Sequence, residues 1–257
     1  MRTAPLMADA LRLLVPLSFL VPLSFLAAVG CRAASLGVEV PRGGPDSISA
    51  EDLQRDTISM MGGAKGRPAG GQDSRAAASH LAQRFGQMHL VPAFGRGWQA
   101  ELGEGRALVC GRRDGAGDAA VVVLALDHGA GAVGGAAPMA ALVSLAKAWD
   151  TPKPPPRPVI LCGLFGGAST ALYATKPPVP MSATAAILQL GDLGGETLST
   201  ALAPRLEGVL VRVLSTDATV SRGSVEDRVE AIDYRDLAVQ VREIHGHVTE
   251  ALAAPAL

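Results

Sequence analysis

The chain has 257 residues, 48% of them hydrophobic, enough to bury one sizeable core and suited to a single α/β domain with little left over. A formal net charge of −1, without clusters of Lys or Arg, leaves no electrostatic footprint for nucleic acid, and 4% aromatic residues give few platforms for stacking bases. Composition therefore argues against nucleic acid as a partner.

The first thirty residues form a separate object. Arg2 and Arg12 flank a short leading region, and LLVPLSFLVPLSFLAAVG, with its tandem VPLSFL, is almost wholly apolar and ends in small residues before Cys31. A charged start, an apolar stretch and a small-residue end read as an export signal over residues 1–30. Two prolines, and a length short of the roughly 20 apolar residues of a spanning helix, argue against a retained membrane segment. Ala28-Val29-Gly30-Cys31 resembles a bacterial lipobox, in which the cysteine becomes the lipidated first residue of the mature protein. The expectation is an envelope location, periplasmic or at the surface, with the membrane reached only through a lipid on Cys31; an ordinary signal peptide cleaved nearby is the alternative. Residues 31–47, small, polar and rich in Pro and Gly, suit a tether ahead of one domain over residues 48–257. Export would also put Cys110 and Cys162 in an oxidising place, where they either bridge or remain two buried thiols. Neither lies in a CxxC or Cys/His metal spacing.

In the body, Ser49-Ala50-Glu51-Asp52 has the pattern of a capping box before LQRDTISMM. A glycine-rich loop follows, and then the spacing of Ala78, Leu81, Ala82 and Phe85 predicts a helix over residues 74–88. Residues 98–102 and 107–112 predict a hairpin turning through Gly103-Glu104-Gly105. AAVVVLAL (119–126), RPVILCGLF (157–165), AAILQL (185–190) and GVLVRVLS (208–215) are β-branched apolar runs too continuous for a one-sided sheet, and they read as buried parallel strands. Helical stretches are expected at residues 136–149, 168–175, 195–203 and 233–253. The alternation predicts an α/β fold: a mixed, mostly parallel central sheet with helices on both faces. Ligands of such sheets bind at the carboxyl ends of the strands, which directs attention to loops 127–135, 166–170, 191–195 and 216–227.

LDHGAGAVGGAAPMAALVSLA (126–146) has three readings. Gly129-x-Gly131-x-x-Gly134 matches a dinucleotide loop in its glycines, but Asp127 and His128 intervene after the strand and no carboxylate ends the next strand. A serine hydrolase is more coherent: Gly167-Ala168-Ser169-Thr170-Ala171 stands between strand and helix, Asp192 or Asp217 and His245 follow in order, and His128-Gly129-Ala130-Gly131 would serve as an oxyanion loop. Against it, Ala171 replaces the second elbow glycine, and His245 falls within an amphipathic helix.

The third reading comes from the chain as a whole. GRPAGGQDSRAAASHLAQRFGQMHLVP, then the VVVLAL strand, RPVILCGLF, AAILQL-GD-LGG, STDA and EDRVEAIDYRDLAVQV resemble, in order, the secreted co-catalytic zinc aminopeptidases, relatives of glutaminyl cyclases and the transferrin receptor. The resemblance runs over residues 48–253 and implies a three-layer sandwich. Chemistry in that family uses two zinc ions bridged by a carboxylate and a water, with a glutamate as general base. The resemblance puts the first histidine ligand at Leu126, with Asp127 or His128 near the following aspartate. It puts the bridging aspartate at Gly134 beside Gly135, and the paired glutamates at Ala168 and Ser169. The next aspartate falls on Gly191, or on Asp192 after a one-residue slip, and the last histidine falls at Arg222–Ser224, ahead of Asp227. With Asp192 the one arguable exception, every bond-forming position is empty, so no catalytic or metal residue and no cofactor is expected. Asp127, His128 and Asp192, all at strand ends, read as hydrogen-bonded loop residues, the alternative being that they meet in the vestigial pocket to hold a water, an ion or a ligand; Arg67 reads as the partner of a carboxylate or loop carbonyl, and His80 and His89 as helix-surface or helix-end residues. Trp98, Trp149, Tyr173 and Tyr234 read as packing residues. The resulting expectation is a non-catalytic, aminopeptidase-like envelope lipoprotein that binds or scaffolds a protein or peptide partner. The alternatives are an active zinc aminopeptidase with a differently placed site, or a hydrolase using Ser169.

Overall fold

The structure is a computed structural model and describes residues 43–61, 67–129, 131–195, 197–202, 205–216 and 227–254. The expected export signal, Cys31, Asp217 and Arg222 lie outside the described residues. Within the segment expected as a tether, Gly44 N–H donates to Ala148 O, Pro45–Ser47 form a 3-10 turn, and Ser47 is buried.

Helix α1 (Ala50–Met61) starts where Ser49 Oγ accepts the Asp52 N–H at 3.2 Å, which satisfies one of the amides that a helix start leaves unpaired. Helix α2 (Gln72–Gln87) turns Ala77, Ala78, Leu81 and Phe85 inward. Strands β1 (Val91–Pro92), β2 (Gln99–Gly103) and β3 (Arg106–Arg113) follow, with β2 and β3 joined at Gly103-Glu104-Gly105, all three at positive φ. Then come β4 (Ala120–Leu126), helix α3 (Ala137–Ala148), β5 (Val159–Phe165), the single turn α4 (Thr170–Tyr173), β6 (Thr184–Leu190), β7 (Leu198–Leu202), β8 (Val211–Thr216) and helix α5 (Tyr234–Ala253).

The strand order is β1-β3-β5-β4-β6-β8-β7, with β2 also paired to β3. The centre, β5-β4-β6-β8, is parallel, and the margins are antiparallel. Every residue of β4 and β5 is buried, which is why those runs lack polar alternation. Alternation persists as a division between two apolar layers. Val121, Val123 and Ala125 join one core with α1, α2, α3 and α5, while Ala120, Val122, Leu124 and Leu126 join a second core with Tyr173 and Met181. The helical cover is therefore unequal: the four long helices share one face, and α4 with loop segments covers the other.

Two expected helices are corrected. Residues 198–202 form strand β7, antiparallel to β8 with Thr200 opposite Leu214; an edge position beside a strand supplies backbone partners that a short Ser/Thr-containing helix would lack. Residues 168–175 yield only the four-residue α4. No helix among the described residues is long and apolar enough to cross a membrane.

Cys110 and Cys162 form a disulfide between directly paired positions of β3 and β5, and both are fully buried in the second core. The bridge spans 52 residues of sequence, and constraining a loop of that size in the unfolded chain is worth about 4 kcal/mol in the chain-entropy account. Replacing both cysteines by alanine is expected to lower Tm by about 10 °C in a thermal melt, and a reductant should then leave the variant's Tm unchanged.

Candidate functional site

The candidate positions gather at one end of the sheet. Leu126 ends β4, Gly134 lies in the π turn Ala132–Ala136 that leads into α3, Ala168 and Ser169 follow β5, and Gly191 and Asp192 follow β6. The loops are laced together by main-chain bonds: Asp127 N–H donates to Leu164 O, Gly167 N–H to Asp127 O, His128 N–H to Gly134 O, and Leu193 N–H to Val133 O.

At its centre is an ion pair. Asp127 is fully buried and Arg67 is 1% exposed. Arg67 Nε donates to Asp127 Oδ2 at 3.0 Å and Nη2 donates to Oδ1 at 2.8 Å, a two-pronged contact that matches the planar guanidinium to the carboxylate. Oδ1 also accepts the Gly129 N–H at 2.9 Å. Two further guanidinium hydrogens reach main-chain oxygens, with Nη1 donating to Met61 O at 2.6 Å and Nη2 to Gly131 O at 3.4 Å, while Arg67 N–H donates to Gly129 O at 2.5 Å. Asp227, also buried, accepts the Ala132 and Val133 N–H groups at Oδ1, at 2.6 and 2.7 Å. A carboxylate there stabilises the positive start of the helical segment that continues into α3.

Other positions are occupied by packing or capping. Leu126 and Ala168 belong to the second apolar core. Ser169 is exposed, and its Oγ accepts the Leu172 N–H at 3.3 Å as the cap of α4. Its backbone is extended (φ −104°, ψ 163°), without the strain of a nucleophile elbow. His245, the histidine proposed to serve Ser169, stacks on Trp149 with ring centroids 4.8 Å apart, and burial pushes its pKa down. Trp149 closes α3, which runs back from the carboxyl end of β4 toward the start of β5, so His245 and Ser169 lie toward opposite ends of the sheet. Gly191 N–H donates to Leu214 O, and a Cβ at Gly191 would sit 2.8 Å from Ser215 Cβ, leaving no room for a side chain. His128 is exposed, and Thr216 N–H donates to Asp192 O.

The role of Asp227 has no local signal in the sequence, because its amide partners lie 94 and 95 residues earlier. The glycines give an indirect one. A Cβ at Gly131 (φ +73°) would run into the Asp227 carboxylate, and one at Gly135 would collide with Arg67 Nη2 and lie 2.5 Å from Asp127 Oδ1.

Among solved structures, the fold is similar to Bacteroides thetaiotaomicron glutaminyl cyclase, at 11% identity over 82% of this chain and 99% of that one, with a TM-score of 0.61. It is similar to a Zn-dependent exopeptidase from Parabacteroides distasonis ATCC 8503, at 13% identity over 82% and 99%, with a TM-score of 0.59. The aminopeptidase of Aneurinibacillus sp. strain AM-1 matches at 9% identity over 80% and 95%, with a TM-score of 0.63. No family model and no curated protein matches the sequence. The mixed, centrally parallel sheet and its helices are thus those of the zinc aminopeptidase and glutaminyl cyclase fold. Zinc in such a site calls for at least three converging protein ligands. Among the described residues no three His, Cys, Asp or Glu side chains come together as a metal site, and both oxygens of Asp127 are engaged by Arg67.

Filling the glycines should expose how tightly this end is built. Gly131→Ala is expected to cost about 3 kcal/mol through collision plus a left-handed backbone, and Gly135→Ala about 2 kcal/mol through collision alone. Gly208→Ala, at φ +86° with open space around it, should cost only about 1 kcal/mol, the backbone share. Urea unfolding of the three variants measures the order.

Proposed function

We propose that the chain is a non-catalytic protein on the zinc aminopeptidase fold, exported and held at the cell envelope by a lipid on Cys31, where it binds or scaffolds a protein or peptide partner without a metal cofactor. The observation that carries the reading is the use already made of the strand-end carboxylate: Asp127 is buried, paired at both oxygens with Arg67, and bound by the Gly129 amide. A carboxylate so engaged neither ligates an ion nor takes a proton from water, since either step would first break the buried pair. Leu126 and Ala168, where the resemblance would put ligand and base, supply no lone pair and are held in an apolar core. The buried disulfide is in keeping with folding in an oxidising compartment. A hydrolase using Ser169 draws no support from the geometry, because Ser169 caps α4 and His245 is stacked on Trp149.

The full-length chain, purified without chelators, should contain no stoichiometric zinc by elemental analysis and should release no chromophore from aminoacyl chromogenic substrates. It should take up labelled fatty acid in bacterial culture, and Cys31→Ser should abolish the label. Stoichiometric zinc together with turnover would overturn the non-catalytic reading; fluorophosphonate labelling lost in Ser169→Ala would favour a hydrolase; equal labelling of both chains by fatty acid would remove the anchor.

A further inference from the structure

We infer that Arg67 is the resident cation of this end of the sheet: its guanidinium supplies the positive charge that compensates the buried Asp127 carboxylate, and by engaging both carboxylate oxygens it takes the place a divalent ion would need. The inference rests on the non-catalytic reading above and adds what compensates the buried carboxylate in place of a metal.

A fully buried carboxylate is costly unless a cation, a metal or a proton compensates it. Asp127 has no water-facing surface, so its compensation comes from within the chain. Arg67 supplies it through two of its nitrogens, at 3.0 and 2.8 Å. Its other donors tie the same guanidinium to the end of α1 through Met61 O and to the start of the π turn through Gly131 O. One planar cation thereby joins the end of α1 to the loop that follows β4, 60 or more residues further along the chain from Arg67. A lysine could not do so, because a point charge on a flexible stem lacks the fixed fork.

Gly135 is part of the same device. A Cβ there would occupy the place of Arg67 Nη2 and approach Asp127 Oδ1 to 2.5 Å. A side chain at position 135 and the Arg67–Asp127 pair are therefore mutually exclusive as built. Gly129, at φ +82°, lets the chain turn so that its N–H meets Oδ1 and its carbonyl meets Arg67 N–H; a Cβ added there would lie 3.1 Å from Arg67 O. The glycines around Asp127 make the volume and the backbone geometry that a guanidinium requires.

The test is a set of thermal melts of the full-length chain in EDTA, in zinc chloride and in ethylguanidinium chloride at a concentration that does not denature the wild type. The wild-type Tm should be the same in EDTA and in zinc. Arg67→Ala and Arg67→Met should lower Tm by about 10 °C, the size expected when one partner of a buried pair is removed. Arg67→Lys should fall between wild type and Arg67→Ala. Ethylguanidinium should recover part of the loss in Arg67→Ala while leaving Asp127→Ala unmoved, and zinc should recover neither. The double variant Arg67→Met/Asp127→Leu should be more stable than Arg67→Met alone, because no unpaired charge remains buried; this comparison also serves if a single variant fails to fold. Three results would overturn the inference: a wild-type Tm raised by zinc, an Arg67→Ala loss no larger than that of the exposed Arg96→Ala, or a double variant no better than the single one. An inactive, zinc-free wild type with an indifferent Arg67 would sink this inference alone, whereas a zinc-loaded active wild type would sink the functional reading with it.

Discussion

Charge cannot be left unpaired inside a protein, and much of the architecture around the carboxyl ends of the strands follows from how Asp127 is compensated. The aspartate directly follows the wholly apolar strand β4, where water does not reach it. Arg67 enters from the loop between α1 and α2 and completes the pair. Such a pair is not a source of large net stability, because desolvating two ions offsets most of their attraction; its force is that neither partner tolerates the loss of the other. The strand end, the glycine turn at 129–135 and the end of α1 are consequently held in one arrangement. Asp227 does a related service nearby, placing a second buried carboxylate on the amides that open the π turn.

The two apolar layers are held by different means. On the face covered by α1, α2, α3 and α5, the amphipathic α1, α2 and α5 and the almost wholly buried α3 pack aliphatic side chains against Val121, Val123 and Ala125, so hydrophobic burial holds this layer. Among the described residues, the opposite face carries α4, the 3-10 turn Met181–Ala183 and loop segments over Val122, Leu124, Ile160 and Leu164. The disulfide belongs to that second layer and ties the antiparallel margin, β3, to the parallel centre, β5. A covalent constraint thus stands on the side of the sheet with the slighter helical cover.

Much of the fold was legible in the chain. Continuous β-branched runs marked the buried parallel strands, because a strand covered on both faces has no polar side to display. Ser49 marked a helix start, and Arg67, in a glycine-rich loop, could be assigned a carboxylate or carbonyl partner because its guanidinium is a fork of donors that pairs with such acceptors. Residues 198–202 were not legible: their identity as a strand depends on the backbone of β8 beside them, and a short stretch of Leu, Ser, Thr and Ala carries no periodicity strong enough to decide. The site divided in the same way. Sequence order placed Leu126, Ala168, Ser169, Gly191 and Asp192 at strand ends, but not what each side chain would touch.

What the sequence by itself determined were the quantities that belong to local order: where apolar runs begin and end, and which turns need glycine. Only the tertiary structure decided that Arg67 meets Asp127 across 60 residues, that Asp227 returns to the turn before α3, and that Cys110 faces Cys162. The physical reason is that a buried charge or thiol is specified by its partner, and a partner brought close by chain folding leaves no mark on the residues between.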